Sequence, residues 1–281
     1  MLLPMKDILM DAKKGGYGCT APNIISAATC KAVFDTARKM KAPVVIDQGG
    51  EGDQLREAAD WVKFYAPRYP DVVATLNLDH GGKYEAIVTA MQAGFNSVMV
   101  DRSTLSFEDN VREVAEIVKI AHALGISVEA ELGHVGQGYE YEATRDGGLT
   151  NPDEALAYIE QTDVDCLAVA VGTSHGVYTG TPHLEFDLLK KLSDMLPNNP
   201  LVLHGGSGTG DENLQKAVEI GIQKVNLFTD LATAGGVAVE EYLKNEKATR
   251  ILPALEGVGI KGYSDKLAHY MELFHSAGKA N

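Results

Sequence analysis

Eight short apolar runs, each followed by a stretch with helical periodicity, constrain this chain more than any other feature. The runs cover residues 17–24, 43–47, 72–78, 97–101, 126–131, 166–171, 200–204 and 223–227. Helical periodicity follows them over residues 27–40, 53–65, 83–93, 106–124, 152–161, 185–195, 211–220 and 231–245. An amphipathic segment at residues 5–13 precedes the series, and a last helix is predicted over residues 265–276. Strands that read as nearly continuous apolar runs are buried on both faces, as in parallel sheets. Eight such units predict an α/β fold, a (β/α)8 TIM barrel, in one domain over residues 1–281 with additional N- and C-terminal helices. A doubly wound open sheet is the rival; the count of eight favours the barrel. No linker or second domain is visible.

Charge narrows the function classes. The formal net charge of -14 argues against nucleic acid and anionic membrane surfaces, which reward clustered Lys and Arg. A small phosphorylated ligand is still compatible, because one pocket can be locally positive. Cys19, Cys30 and Cys166 are odd in number and lack metal-type spacing; Cys19 and Cys166 sit in apolar runs and read as core thiols of a reducing compartment. Pro4, Lys6 and Asp7 interrupt the N-terminus too early for a signal peptide. No run approaches the ~18 apolar residues of a membrane span. A cytoplasmic protein is therefore expected.

Barrel enzymes carry their chemistry at the C-terminal ends of the strands, and the polar residues fall there. Asp79-His80 ends the third run, Asp101 the fourth and Glu131 the fifth. His175 lies just past the sixth, His204 ends the seventh, and Asn226 is near the end of the eighth. His80, His175 and His204 all share a strand-end-then-glycine setting. Together they make a zinc site with an open fourth position, although any one of them alone would read as a turn or core histidine. His122, His183, His269 and His275 lie in helices or loops, and His134 falls in a long loop and is open to either reading.

Neighbouring strand residues point to opposite faces, so Asp79 and His80 serve one site only if the chain bends; Gly81-Gly82 permits that. Asp79 beside a cation suits a proton shuttle, against the alternative of a helix cap or a group that orients His80. Gly205-Gly206-Ser207-Gly208, with Asn226 and Thr229, falls where this fold builds phosphate sites from its seventh and eighth loops. The loop of residues 132–151 is long enough to be functional.

With these residues in place, the chain resembles the class II, metal-dependent ketose-bisphosphate aldolases. The matches include Tyr17-Gly18, Pro22-Asn23, Leu78-Asp79-His80-Gly81, Glu129-Ala130-Glu131-Leu132-Gly133, Gly172-Thr173-Ser174-His175-Gly176, Leu203-His204-Gly205-Gly206-Ser207-Gly208, Lys224-Val225-Asn226 and Ser276-Ala277-Gly278-Lys279-Ala280. The resemblance covers nearly the whole chain, in order. It implies a lyase that cleaves a ketose 1-phosphate or bisphosphate to dihydroxyacetone phosphate and an aldehyde through a zinc-stabilised enediolate. Fructose 1,6-bisphosphate is the first substrate expected, then tagatose 1,6-bisphosphate.

On this resemblance His80, His175 and His204 bind one Zn2+ and Asp79 is the acid/base. Asn23, Gly176, Gly205, Gly206, Ser207, Asn226 and Thr229 hold the dihydroxyacetone phosphate half. Asp101 and Glu131 match a second cation site, with a monovalent cation as a further ligand. Glu140 or Glu142 is the expected second proton carrier, and a homodimer or homotetramer is the expected assembly. Three departures fall at the aldehyde end. Gly49 stands where bisphosphate enzymes often place serine, Arg102 follows Asp101 where the family commonly has a small residue, and Phe228 replaces a small or acidic one. Arg102 has two readings, a grip on an anionic aldehyde or a partner for a nearby carboxylate. A zinc hydrolase and a non-catalytic sugar-phosphate binding protein are the alternatives from other classes.

Overall fold

The structure, a computed structural model, describes residues 1–138, 148–176, 178 and 182–280. Its eight strands are β1 (Cys19–Pro22), β2 (Val44–Gln48), β3 (Ala74–Gly81), β4 (Ser97–Val100), β5 (Ser127–Leu132), β6 (Cys166–Val169), β7 (Leu201–Leu203) and β8 (Ile222–Leu227). Each pairs in parallel with its sequence neighbours, and β1 pairs with β8, so the barrel closes. The predicted TIM barrel is the observed fold.

Among the described residues the α-helices are α1 (Met5–Gly15), α2 (Ala27–Met40), α3 (Asp53–Tyr65), α4 (Tyr84–Ala93), α5 (Phe107–Ala123), α6 (Pro152–Thr162), α7 (Phe186–Met195), α8 (Asp211–Ile220), α9 (Thr229–Leu243) and α10 (Leu252–Leu273). Alternation along the strands divides the apolar residues into two sets. Outward residues such as Val44, Ile46, Leu76, Val98, Val128, Leu167, Leu203 and Val225 pack in the large core beneath the helices. Inward residues Cys19, Ala21, Val45, Met99, Cys166, Ala168 and Val202 form a smaller cluster with Met5, Ile8, Leu9 and Ala12 of α1. The amphipathic N-terminal segment therefore plugs one end of the barrel and leaves the other end for the site. All three cysteines are free and buried. Among the described residues, no helix is long and apolar enough to cross a membrane.

Two elements depart most from the sequence expectation. The C-terminal helix starts at Leu252 rather than 265 and ends at Leu273. Gly257, Gly259 and Gly262 weaken its intrinsic helicity, but close packing on α9 holds it. A Cβ at Gly262 would sit 2.6 Å from the Ala234 carbonyl oxygen, so the small residues that hide the helix in the sequence are what lets it dock. The third strand starts at Ala74 and runs through Asp79 and His80 to Gly81, past the apolar run of residues 72–78. The bend lies at His80 itself, whose φ is +52°, and the β3–β4 register shifts between Leu78 and Gly81. Gly81 serves a different need than the expected bend: a Cβ there would meet the Met99 carbonyl oxygen at 2.1 Å.

Candidate active site

The left-handed kink at His80 turns its ring into the mouth together with Asp79, against the alternation of a regular strand. His175, beyond β6, and His204, at the end of β7, bring the other two imidazoles. Ring centroids are 4.7 Å apart for His80–His175 and His80–His204, and 5.7 Å for His175–His204. One nitrogen from each ring falls in a group whose members all lie within 4.8 Å of one another. His80 Nε2 and His204 Nδ1 face each other at 3.1 Å.

The outer nitrogens set the tautomers. His80 Nδ1 lies 2.9 Å from Asp101 Oδ2, and His204 Nε2 lies 2.7 Å from Glu129 Oε1. A ring that donates its outer N–H to a carboxylate presents its inner nitrogen as a lone pair. His175 Nε2 is buried without a hydrogen-bond partner among the described residues. Inward lone pairs and one orphaned imidazole nitrogen are what a three-nitrogen zinc site with an open position requires, so the residues fit the expected metal.

Burial opposes protonation at all three rings, with different outcomes. At His80 the Asp101 hydrogen bond and the charges of Asp79 and Glu131 outweigh burial, and the pKa rises to about 9. At His175 burial, with His204 and His80 nearby, lowers it to about 3. At His204 burial also dominates and lowers it. Metal loading would have to displace the proton that His80 holds in its absence.

Asp79 lies 3.9 Å from His80 Nε2 and 4.0 Å from His204 Nδ1. Its two oxygens accept from the carboxamides of Asn23 and Asn226, each at 2.9 Å. Burial opposes its charge, but His80, His204 and Lys224 overcome that and hold its pKa at about 2. It is an ionised, oriented carboxylate.

The glycine loop follows His204. Gly205 has φ +67°, and a Cβ there would meet the Ser174 carbonyl oxygen at 2.4 Å, so the β6 and β7 loops touch through backbone. Tyr178 Oη reinforces the contact, accepting from Ser174 N–H at 2.7 Å and donating to the Gly205 carbonyl at 3.0 Å. Ser207 Oγ accepts the Asp230 N–H at 3.2 Å in the first turn of α9, and Gly208 N–H donates to Asp230 Oδ2 at 3.1 Å. The loop is thereby fixed against the N-terminus of α9, where unpaired N–H groups favour anions. Gly208 N–H is already committed to Asp230, which leaves Gly206, Ser207 and Thr229 at the cavity wall.

One cavity of about 450 Å3 is lined by Asn23, Gly49, Asp79, His80, His175, Gly176, His204, Gly205, Gly206, Ser207, Asn226, Phe228 and Thr229. Asp101 and Glu131 sit behind His80 and, with it, form a second group with metal-ligand spacing. Glu131 is buried, with the Asp101 charge nearby, and its pKa is pushed up to about 8. Arg102 is not in the cavity. It is buried, pairs with Glu113 at 2.6 Å, and donates to the carbonyls of Gly81, Gly82 and Asp101. The contact expected from the carboxylate-partner reading is present, with Glu113 as the carboxylate. Glu140 and Glu142 lie outside the described residues.

Sequence reasoning gave no role to the layer beneath the site. Lys224 Nζ lies 2.8 Å from Glu129 Oε2 and 3.4 Å from Asp47 Oδ2, all fully buried inside the barrel. Asn77 donates to Asp47 Oδ1 at 2.9 Å. Burial opposes charge on Glu129, but Lys224 and His204 lower its pKa; burial drives Asp47 the other way, well above its ordinary range. Lys224 itself is shifted up, its burial outweighed by both carboxylates as if both were charged. The shorter distance pairs the Lys224 charge with Glu129, while burial disfavours the charged form of Asp47. The signal was present as charged residues inside apolar runs, Val128-Glu129-Ala130 and Gln223-Lys224-Val225.

The comparisons with known proteins agree with this geometry. A family profile described as fructose-bisphosphate aldolase class-II matches residues 3–279. The fructose-bisphosphate aldolase of Thermus caldophilus is 37% identical, with the whole of both chains covered. The Escherichia coli (strain K12) protein YdjI is 37% identical over 96% of each chain, and the sulfofructosephosphate aldolase of Alkalicoccus urumqiensis 35% identical over 98% of this chain and 97% of that one. The crystal structure of the YdjI aldolase superposes over 100% of both chains with a TM-score of 0.87 at 34% identity. The protein is thus an aldolase, a carbon–carbon lyase. More narrowly, the chain belongs to the class II fructose-bisphosphate aldolase family, a zinc-dependent family.

Proposed function

We propose that this chain is a metal-dependent aldolase that reversibly cleaves a ketose 1-phosphate or bisphosphate to dihydroxyacetone phosphate and an aldehyde. The observation that carries the reading is the approach of Asp79 to within 4.0 Å of two imidazoles of the histidine trio, in one cavity with the glycine loop. His80, His175 and His204 would hold the zinc ion. When bound, zinc supplies Lewis-acid polarisation of the ketose oxygens.

The protein's own residues do the rest. Gly206, Ser207 and Thr229 hold the phosphate that does not react, and that binding energy positions the reacting carbons. Asp79, ionised and aimed by Asn23 and Asn226, accepts the proton of the hydroxyl that becomes the aldehyde, and returns it in the condensation direction. No lysine lies on the cavity wall among the described residues, in keeping with a mechanism that forms no Schiff base. We also read the chain as one cytoplasmic catalytic domain assembled as a homodimer or homotetramer, on the family resemblance.

Product analysis of the zinc-loaded protein with fructose 1,6-bisphosphate, tagatose 1,6-bisphosphate and ketose 1-phosphates tests the reading. A triose phosphate plus an aldehyde is expected. Phosphate release without carbon–carbon cleavage would make the protein a hydrolase, and full zinc loading without turnover across the panel would make it a binding protein.

A further inference from the structure

The side of the cavity next to Asp79 differs in kind from the phosphate side. Asn23, which holds Asp79, is followed by Ile24 and Ile25, and these line the cavity together with Gln48, Gly49 and Phe228. Ile25 is 61% exposed and Phe228 50%, so both apolar side chains stand open at the rim. This is where the aldehyde half must lie, because Asp79 exchanges its proton with the oxygen of that half.

A second phosphate at this end would need cations or another cradle of N–H groups. In the eight strand-to-helix loops of the sequence, the basic side chains are Lys83, Arg102 and Arg145. Lys83 is neutralised by Glu51 at 2.8 Å, across the loops after β2 and β3. Arg102 is locked behind His80 by Glu113 and three carbonyls. Arg145 lies outside the described residues. Helix α3, which opens beyond Gly49, starts with an acidic residue, Asp53, and the chain as a whole is strongly acidic. Gly49 offers neither a hydroxyl nor a charge.

We propose that the aldehyde half of the substrate is uncharged: the enzyme acts on a ketose 1-phosphate whose far end carries carbon and hydroxyl groups rather than a second phosphate, selected by Ile25, Gln48 and Phe228. The proposal rests on the aldolase reading above and narrows it. Phe228 and Ile25 offer apolar contact to the carbon chain, and the Gln48 carboxamide, also on the cavity wall, suits a hydroxyl. Among the described residues, an anionic group placed against this wall would lose water without gaining a cationic partner, at a cost that grows with its charge.

The test has two readouts on the zinc-loaded full chain. The first is exchange of the dihydroxyacetone phosphate methylene proton with deuterated water, followed by NMR, which needs no aldehyde. The second is kcat/KM for condensation of dihydroxyacetone phosphate with glycolaldehyde, glyceraldehyde, longer hydroxyaldehydes and glyceraldehyde 3-phosphate. Exchange together with at least a tenfold preference for an uncharged aldehyde, about 1.4 kcal/mol, is the expected result. Exchange with glyceraldehyde 3-phosphate, or a sulfonated aldehyde, as the best partner overturns this inference and leaves the aldolase reading standing. No exchange overturns both. Phe228→Ala should lower kcat/KM for long uncharged aldehydes about tenfold more than for glycolaldehyde; an equal loss for both would remove Phe228 from the selecting wall.

Discussion

His204 and Glu129 meet at 2.7 Å with neither side chain exposed, and the second Glu129 oxygen holds Lys224 at 2.8 Å. The carboxylate fixes which imidazole nitrogen carries hydrogen and so which one faces the proposed metal. Glu129→Gln keeps the shape and removes the charge. Zinc affinity, measured by competition with a chromophoric chelator, should fall about 10- to 100-fold. An affinity equal to that of the unaltered protein would show that the pair is structural only.

Asp79 is held by the carboxamides of Asn23 and Asn226. Asp79→Ala should therefore keep its zinc while cleavage slows about 100- to 10,000-fold. Metal analysis of the same sample alongside kcat separates the two effects. A near-normal rate would take the acid/base role away from Asp79.

Removal of the metal is expected to stop the reaction. Dialysis against EDTA should abolish cleavage and added zinc should restore it, while borohydride with substrate should leave no covalent adduct by mass spectrometry. Turnover that persists in EDTA, or a trapped adduct, would contradict the proposed chemistry.

Asp47 supplies a pH signature. Burial raises its carboxyl in the folded state, so the folded form binds its proton more tightly than the unfolded form does. The stability this contributes is complete below the unfolded pKa of about 3.9 and is lost as pH rises through the higher folded value. Asp47→Asn lacks that loss. In urea titrations at acidic, neutral and alkaline pH, the variant should gain on the parent as pH rises, by about 1–3 kcal/mol at the alkaline end. A gap that does not change with pH would mean that Asp47 is ionised throughout.

Arg102 donates to the carbonyls of Gly81, Gly82 and Asp101 and is not among the residues that line the cavity. Arg102→Met should destabilise the fold by about 3–5 kcal/mol, because Glu113 and the carbonyls lose their partner. The ratio of kcat/KM between phosphorylated and uncharged aldehydes should stay the same. A changed ratio would restore Arg102 as a specificity residue.

The sequence by itself determined the barrel and which polar residues stand at its strand ends. Hydrophobic periodicity is local, so eight apolar runs with helical stretches between them were legible residue by residue. Once a barrel was inferred, its rule that chemistry sits at strand ends gathered His80, His175, His204 and Asp79. The helix over Leu252–Leu273 was only half visible, because its glycines lower local propensity and its stability comes from docking on α9.

Tertiary structure decided everything that depends on direction or on a distant partner. Periodicity could not say that His80 itself takes the left-handed turn, since that kink is held by the neighbouring strand and Asp101. It could not choose between the two readings of Arg102, whose fate depends on Glu113 one helix away. Nor could it join Asp47, Glu129 and Lys224, which are far apart in the chain and meet only when the sheet closes. Local pattern fixes which residues stand at a strand end; closure of the barrel fixes what each of them faces.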